Sequence, residues 1–182
     1  AEAVLMDMSG EVLHRWRKDF SDVAGPKGNT RNPNVGFWRR ARLLPNGHLL
    51  AIVEGVGILE LDKESNLVWK QANKTHHDLE VLPDGRMWVL TRKPTKFEEV
   101  SRARMVVEDS ASLLERDGTL VRSVSILGAY AASPFDHWRP GEGEAGDIFH
   151  TNSLEVLDGS LAHLDPAFRK GNLLLSLRER DA

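Results

Sequence analysis

Cysteine is absent from the 182 residues. That excludes a disulfide framework, a thiol nucleophile and any zinc or iron–sulfur centre held by thiolates. It leaves the compartment open, because exported proteins also do without cysteine. An excess of positive charge is missing too: 24 Lys and Arg stand against 27 Asp and Glu, a formal net charge of -3. Nucleic acid is bound through clustered Lys and Arg, so no nucleic-acid partner is expected. No apolar run approaches the roughly 20 residues of a membrane-spanning helix. Residues 1–10 carry two acids and no base, which is not the opening of a secretory signal. Strand-like sequence starts at about residue 3, as in an internal piece of a longer protein. What is present is a length suited to about one domain and 41% hydrophobic residues to fill its core.

Those hydrophobic residues alternate and meet tight turns. Residues 41–51 read ARLLPNGHLLA and 79–90 read LEVLPDGRMWVL. A third copy, LEVLDG at 154–159, is completed by GNLLLS at 171–176 after an insertion. Pro, then Asn or Asp, then a Gly able to take positive φ predicts a short hairpin with a glycine bulge. A second kind of hairpin alternates with the first: LMDMSGEVL at 5–13, LELDKESNLVW at 59–69 and LLERDGTLV at 113–121. Its turns recur every 53 to 55 residues, counted at Gly10, Ser65 and Gly118. Two hairpins per period make four strands per repeat, the signature of a β-propeller blade. A β-sandwich also turns often, but it does not require the hairpins to recur in register. The expected fold is therefore all-β, a partial β-propeller of about three four-stranded blades within one domain fragment spanning 1–182. Closed propellers have 4–8 blades, so further blades of the same protein are expected.

Four stretches interrupt the pattern. Residues 18–36 and 134–146 read as loops, and residues 125–133 (SILGAYAAS) suit one or two helical turns. The 11 residues between Gly159 and Gly171 replace a tight turn, and Pro166 argues against a strand there. The basic run at 91–96 (TRKPTK) reads as a solvated loop.

Comparing equivalent positions singles out a few polar residues. Two residues before the aligned motifs, on one strand face by alternation, lie Arg39, His77 and Asn152. Two further upstream lie Phe37, Thr75 and His150. Seven residues after the hairpin glycines come Glu54, Arg92 and Arg178. His77 with Arg92, and His150 and Asn152 with Arg178, thus gather at the end of each hairpin far from its turn. A single strand-end histidine commonly serves only packing or solvation; matched placement favours a site. The adjacent His76 and His77 point to opposite faces and make a poor chelate, so no metal is expected. His14, His48, His137 and His163 fall near turns, and the five tryptophans read as packing between blades.

Three segments carry a resemblance: VLMDMSGEVLHRW at 4–16, HHDLEVLPDGRMWVLTR at 76–92, and DIFHTNSLEVLDG followed by FRKGNLLLSLRERD from 147 to 181. They resemble the bacterial arylsulfotransferase (aryl-sulfate sulfotransferase) family. The resemblance implies a six-bladed propeller with its site at the channel mouth. It also implies sulfuryl transfer from an aryl sulfate to a phenolic acceptor through a sulfated histidine, with no nucleotide donor and no cofactor. The implied partners are those two small molecules, and the implied location is the periplasm or another exported compartment. By the family's motifs, HHD places a channel histidine at His77 ahead of His76. HTN places His150 and Asn152, and LRER places a sulfate-binding arginine at Arg178. His77, His150 and Arg178 are then the catalytic candidates, with Asn152, His76 and Arg92 binding substrate. The order of motifs puts the nucleophilic histidine in a later blade, beyond Ala182, so the 182-residue chain alone is expected to be inactive. The first hairpin departs from the pattern, with Phe37, Trp38 and Arg39 where a site histidine would fall. The competing reading is a non-catalytic propeller that binds a small anion or a protein partner.

Overall fold

The structure is a computed structural model, and it describes residues 1–24, 36–98, 100, 104–134 and 144–180. Its backbone falls into two compact units, Ala1–His76 with Asp117–Thr119, and His77–Arg116 with Leu120–Ala182. In the first unit β1 (Glu2–Met6) and β2 (Val12–Arg17) form an antiparallel hairpin. A short helix α1 (Phe20–Ala24) follows. Then β3 (Trp38–Leu43), β4 (Leu49–Val53), β5 (Gly57–Leu61) and β6 (Leu67–Gln71) form a four-stranded antiparallel sheet in chain order. The next sheet again runs in chain order: β7 (Thr75–Val81), β8 (Met87–Thr95), β9 (Val106–Leu114) and β10 (Leu120–Ser125). After helix α2 (Ile126–Ala131), β11 (Gly146–Asp147) joins β9 in parallel, and β12 (Thr151–Val156) pairs with β13 (Leu173–Leu177) as a final hairpin. Two sheets thus each hold four antiparallel strands in chain order, the second with β11 added, and among the described residues none of the sheets closes on itself.

One turn builds most of these hairpins. The Leu44 N–H donates to the His48 carbonyl at 2.8 Å and the Gly47 N–H returns to the Leu44 carbonyl at 3.0 Å. The same two bonds join Leu82, Gly85 and Arg86, then Asp7, Gly10 and Glu11, then Asp62, Ser65 and Asn66. The third turn residue has φ of 84° at Gly47 and 88° at Gly85, where glycine carries no steric penalty. The insertion obeys the same rule: Leu157 donates to Asn172 at 2.9 Å and Gly171 to Leu157 at 2.8 Å. Residues 158–170 are therefore spliced into an intact hairpin closure. They hold a single 3-10 turn, Pro166–Phe168, capped by the Asp165 carboxylate on the Ala167 N–H at 2.7 Å.

Burial follows from position in the sheet. β4 (LLAIV) and β5 (GILEL) are buried along their whole length, as central strands covered on both faces must be. Trp16, Val23, Leu49, Ala51, Val53, Leu59 and Leu61 form the core of the first unit. Each such side chain contributes roughly 1.5–3 kcal/mol on burial when it is a Val, Leu or Ile. The one acid in β5, Glu60, is matched: His48 Nδ1 lies 2.5 Å from one oxygen and the Trp69 Nε1–H donates to the other at 2.6 Å. In the second unit Trp88, Leu90, Ala111, Leu113 and Leu154 pack together, and Ile126, Leu127, Ile148, Phe149 and Leu177 form another cluster.

Three expectations need correction. The run at 91–96 is not a loop, since β8 extends through Thr95 with Pro94 opposite Val107. The nine-residue β9 offers a partner along that whole length, and Lys93 Nζ lies 3.5 Å from the Glu108 carboxylate. The stretch 18–36 contains α1, and 134–146 ends in β11; residues 25–35 and 135–143 lie outside the described residues. The helical turns expected at 125–133 are present as α2, with the Ser125 hydroxyl accepting from the Gly128 N–H at 2.8 Å.

Candidate active site

The second unit brings two of the expected residues into contact. His77 Nε2 and His150 Nε2 are 3.2 Å apart, with ring centroids 4.7 Å apart and planes at 75°. Both backbones are left-handed, φ 53° at His77 and 48° at His150, which is uncommon for residues with a Cβ. His77 therefore turns away from the path of its strand. Its neighbour His76 is buried, at 2% exposure.

The segment before β12 holds His150. β11 pins Asp147 beside Val107, and the next two residues, Ile148 and Phe149, are buried at 4% and 0% exposure. Phe149 packs on Tyr130 of α2 with centroids 5.1 Å apart. The chain then turns sharply: the Asp147 carboxylate accepts the His150 N–H at 3.0 Å on one oxygen. Its other oxygen lies 2.6 Å from His150 Nδ1. Backbone bonds from the end of β13 close the turn, from Arg178 N–H to the His150 carbonyl and from Glu179 N–H to the Phe149 carbonyl.

β12 itself is held along one side by carboxylates. Asp78 accepts the Leu154 N–H at 2.9 Å, Glu80 the Val156 N–H at 2.6 Å and Asp109 the Thr151 N–H at 2.8 Å. These N–H groups point away from β13, and each would otherwise lack a partner, two of them in a buried place and that of Val156 in a partly buried one. The aspartate of the HHD motif is thus a structural anchor. Among the described residues, no group of three or more His, Asp or Glu gathers as a metal site would.

Other expected residues are placed as follows. Arg178 touches His150 through its backbone, while its guanidinium binds Glu179 Oε1 at 2.6 and 2.9 Å. Arg92 sits in β8 directly opposite Asp109. Asn152 is the extra residue of a bulge, because the register passes from Thr151 opposite Leu177 to Ser153 opposite Ser176. The same slip occurs in β3 between Trp38 and Arg40, so Arg39 occupies the matching bulge. Alternation cannot be counted across a bulge. The two-residue face rule put His77 level with Asn152, and Thr75 level with His150, in successive hairpins; the contact observed is between His77 and His150. In the first unit the matching place holds an ion pair, Arg39 Nε to Glu54 Oε2 at 2.7 Å, with Glu54 buried at 3% exposure.

Motif reasoning passed over Asp147. Its signal was an acid three residues before a histidine, a spacing at which an Asp side chain can close a turn onto the main chain.

Antiparallel sheets that carry a carboxylate–histidine–histidine chain define a mostly β protein. The chain belongs to the arylsulfotransferase (ASST) family, whose model matches residues 40–182. No curated protein sequence and no solved structure matches it.

Proposed function

We propose that the protein transfers a sulfuryl group from an aryl sulfate to a phenolic acceptor. The observation that carries this is the His77–His150 pair, with both Nε2 atoms turned to one point and Asp147 behind His150. Family membership supports the class of reaction. In the first half-reaction the aryl S–O bond breaks, the phenolate leaves, and the sulfuryl group joins a histidine nitrogen. In the second, the acceptor phenol takes the sulfuryl group and gives up its proton. Imidazoles suit the transfer of a proton to the departing phenolate and from the incoming phenol. His77 and His150 fill that role, Asn152 and Arg178 bind the sulfate oxygens, and the nucleophile is a third histidine in a later blade. An arginine fork matches two sulfate oxygens, as it matches a carboxylate. The sheets are blades of a propeller completed by further strands, and activity belongs to that completed ring.

The test is turnover of a chromogenic aryl sulfate by the full-length enzyme, with and without added phenol. Release of the coloured phenolate coupled to formation of the sulfated acceptor is expected. Tight binding of the aryl sulfate without turnover would leave a binding scaffold instead.

A further inference from the structure

The Asp147 carboxylate reaches the histidine pair through His150. Its two oxygens take two separate groups of one residue, the His150 N–H at 3.0 Å and the ring Nδ1 at 2.6 Å. An ionised carboxylate only accepts, so the proton between them sits on Nδ1. His150 Nε2 is then the atom left to face His77, 3.2 Å away, and whatever enters between them. We infer that Asp147 is a positioning residue: it selects the Nδ1–H form of His150 and so delivers Nε2 as the working nitrogen of the pair. This rests on the reading of the pair as the sulfuryl-transfer site.

The surroundings are built for such a task. Asp147 is fixed by its pairing with Val107, and the buried Ile148 and Phe149 hold the turn between acid and histidine. The turn needs two acceptors on one side chain, because His150 at φ 48° presents both its N–H and its ring to Asp147. Asparagine has one acceptor oxygen. When that oxygen keeps the main-chain N–H, the amide NH₂ faces Nδ1, which must then accept, and the ring proton moves to Nε2. An Asn in place of the orienting Asp of a hydrolase triad imposes the wrong ring form in this way.

The experiment reads the ring directly. Ring-nitrogen NMR of the ¹⁵N-histidine-labelled full-length protein is recorded at about pH 8.5, above the ordinary histidine range. The expected spectrum has His150 Nδ1 protonated in the native protein and unprotonated in Asp147→Asn. A native Nδ1 without its proton overturns the proposal even when the variant fails to fold, and so does a folded Asp147→Asn that keeps the native ring form. Aryl-sulfate kinetics on the same samples should show kcat reduced by roughly 10²-fold, the usual size for lost acid–base assistance, with KM nearly unchanged. A ring that switches form while kcat stays native establishes the positioning role and overturns the catalytic reading of the pair, so the two failures are separable.

Discussion

The guanidinium of Arg178 grips Glu179 where both side chains are open to solvent, at 56% and 43% exposure. Exposed pairs of this kind are worth about 0–1 kcal/mol. Under the proposed function, Glu179 would give up Arg178 at small cost to an anionic sulfuryl group beside His150, whose carbonyl the Arg178 main chain touches. Arg92 is differently committed, lying across the ladder from the buried Asp109. In the full-length enzyme, Arg178→Ala should reduce aryl-sulfate turnover by roughly 10²–10³-fold, the range for losing one strong transition-state donor. Arg178→Lys should restore only part, since a point charge lacks the fork. Arg92→Ala should act mainly on stability. Steady-state kinetics on the three variants, with folding checked by circular dichroism, separates these outcomes; native turnover in a folded Arg178→Ala removes the assigned role. At this scale His77 and His150 were legible as candidates because the motifs isolate them. Asn152 was legible as a position and not as a direction, because the bulge that carries it leaves no mark in the hydrophobic pattern.

Strand β12 depends on side chains from β7 and β9 as well as on its ladder with β13. Asp78→Ala would leave the buried Leu154 N–H without its acceptor, a loss of about 1–3 kcal/mol. Chemical denaturation should show that loss. An unchanged midpoint would mean that the anchor is dispensable. The turns add an acid-sensitive term of their own. Asp7 is held below the usual carboxylate range chiefly by the Ser9 hydroxyl, Asp62 by the Asn66 side chain and Asp84 by the Arg86 side chain. Asp117 and Asp158 are lowered first by main-chain N–H bonds from Thr119 and Ser160. A pKa depressed on folding means that the native protein binds fewer protons than the unfolded chain. The stabilisation is complete above the unfolded aspartate value of about 3.9 and is lost as pH falls through the lower folded values. Urea midpoints should thus hold from pH 7 to about 5 and drop below about 4, and Asp7→Asn with Asp62→Asn should make the acid limb shallower. The hairpins themselves were legible because Pro, Asn or Asp, and Gly state their turn locally. The extension of β8 through Pro94 was not, since only the length of β9 permits it.

Across the whole molecule, much apolar surface remains uncovered. Val4, Leu5, Met6, Val12 and Leu13 of the first hairpin are each at least 39% exposed, as is Leu174 of β13. Beyond β12, no strand among the described residues pairs with β13. Open edges and exposed apolar faces favour association. Sedimentation of the purified 182-residue chain should therefore show self-association that grows with concentration; a stable monomer at high concentration would contradict the open-edge account. The sequence by itself determined the all-β class, the turn positions and the grouping of strands in fours, because turn chemistry and period-two alternation act between near neighbours. It also determined the family, through motifs that are local strings. Only the tertiary structure decided which polar residues meet. His77 and His150 are 73 positions apart, and their contact depends on two left-handed residues, the β11–β9 pairing and the carboxylates that seat β12. Those are long-range choices of direction, and a period counted along one strand carries no record of them.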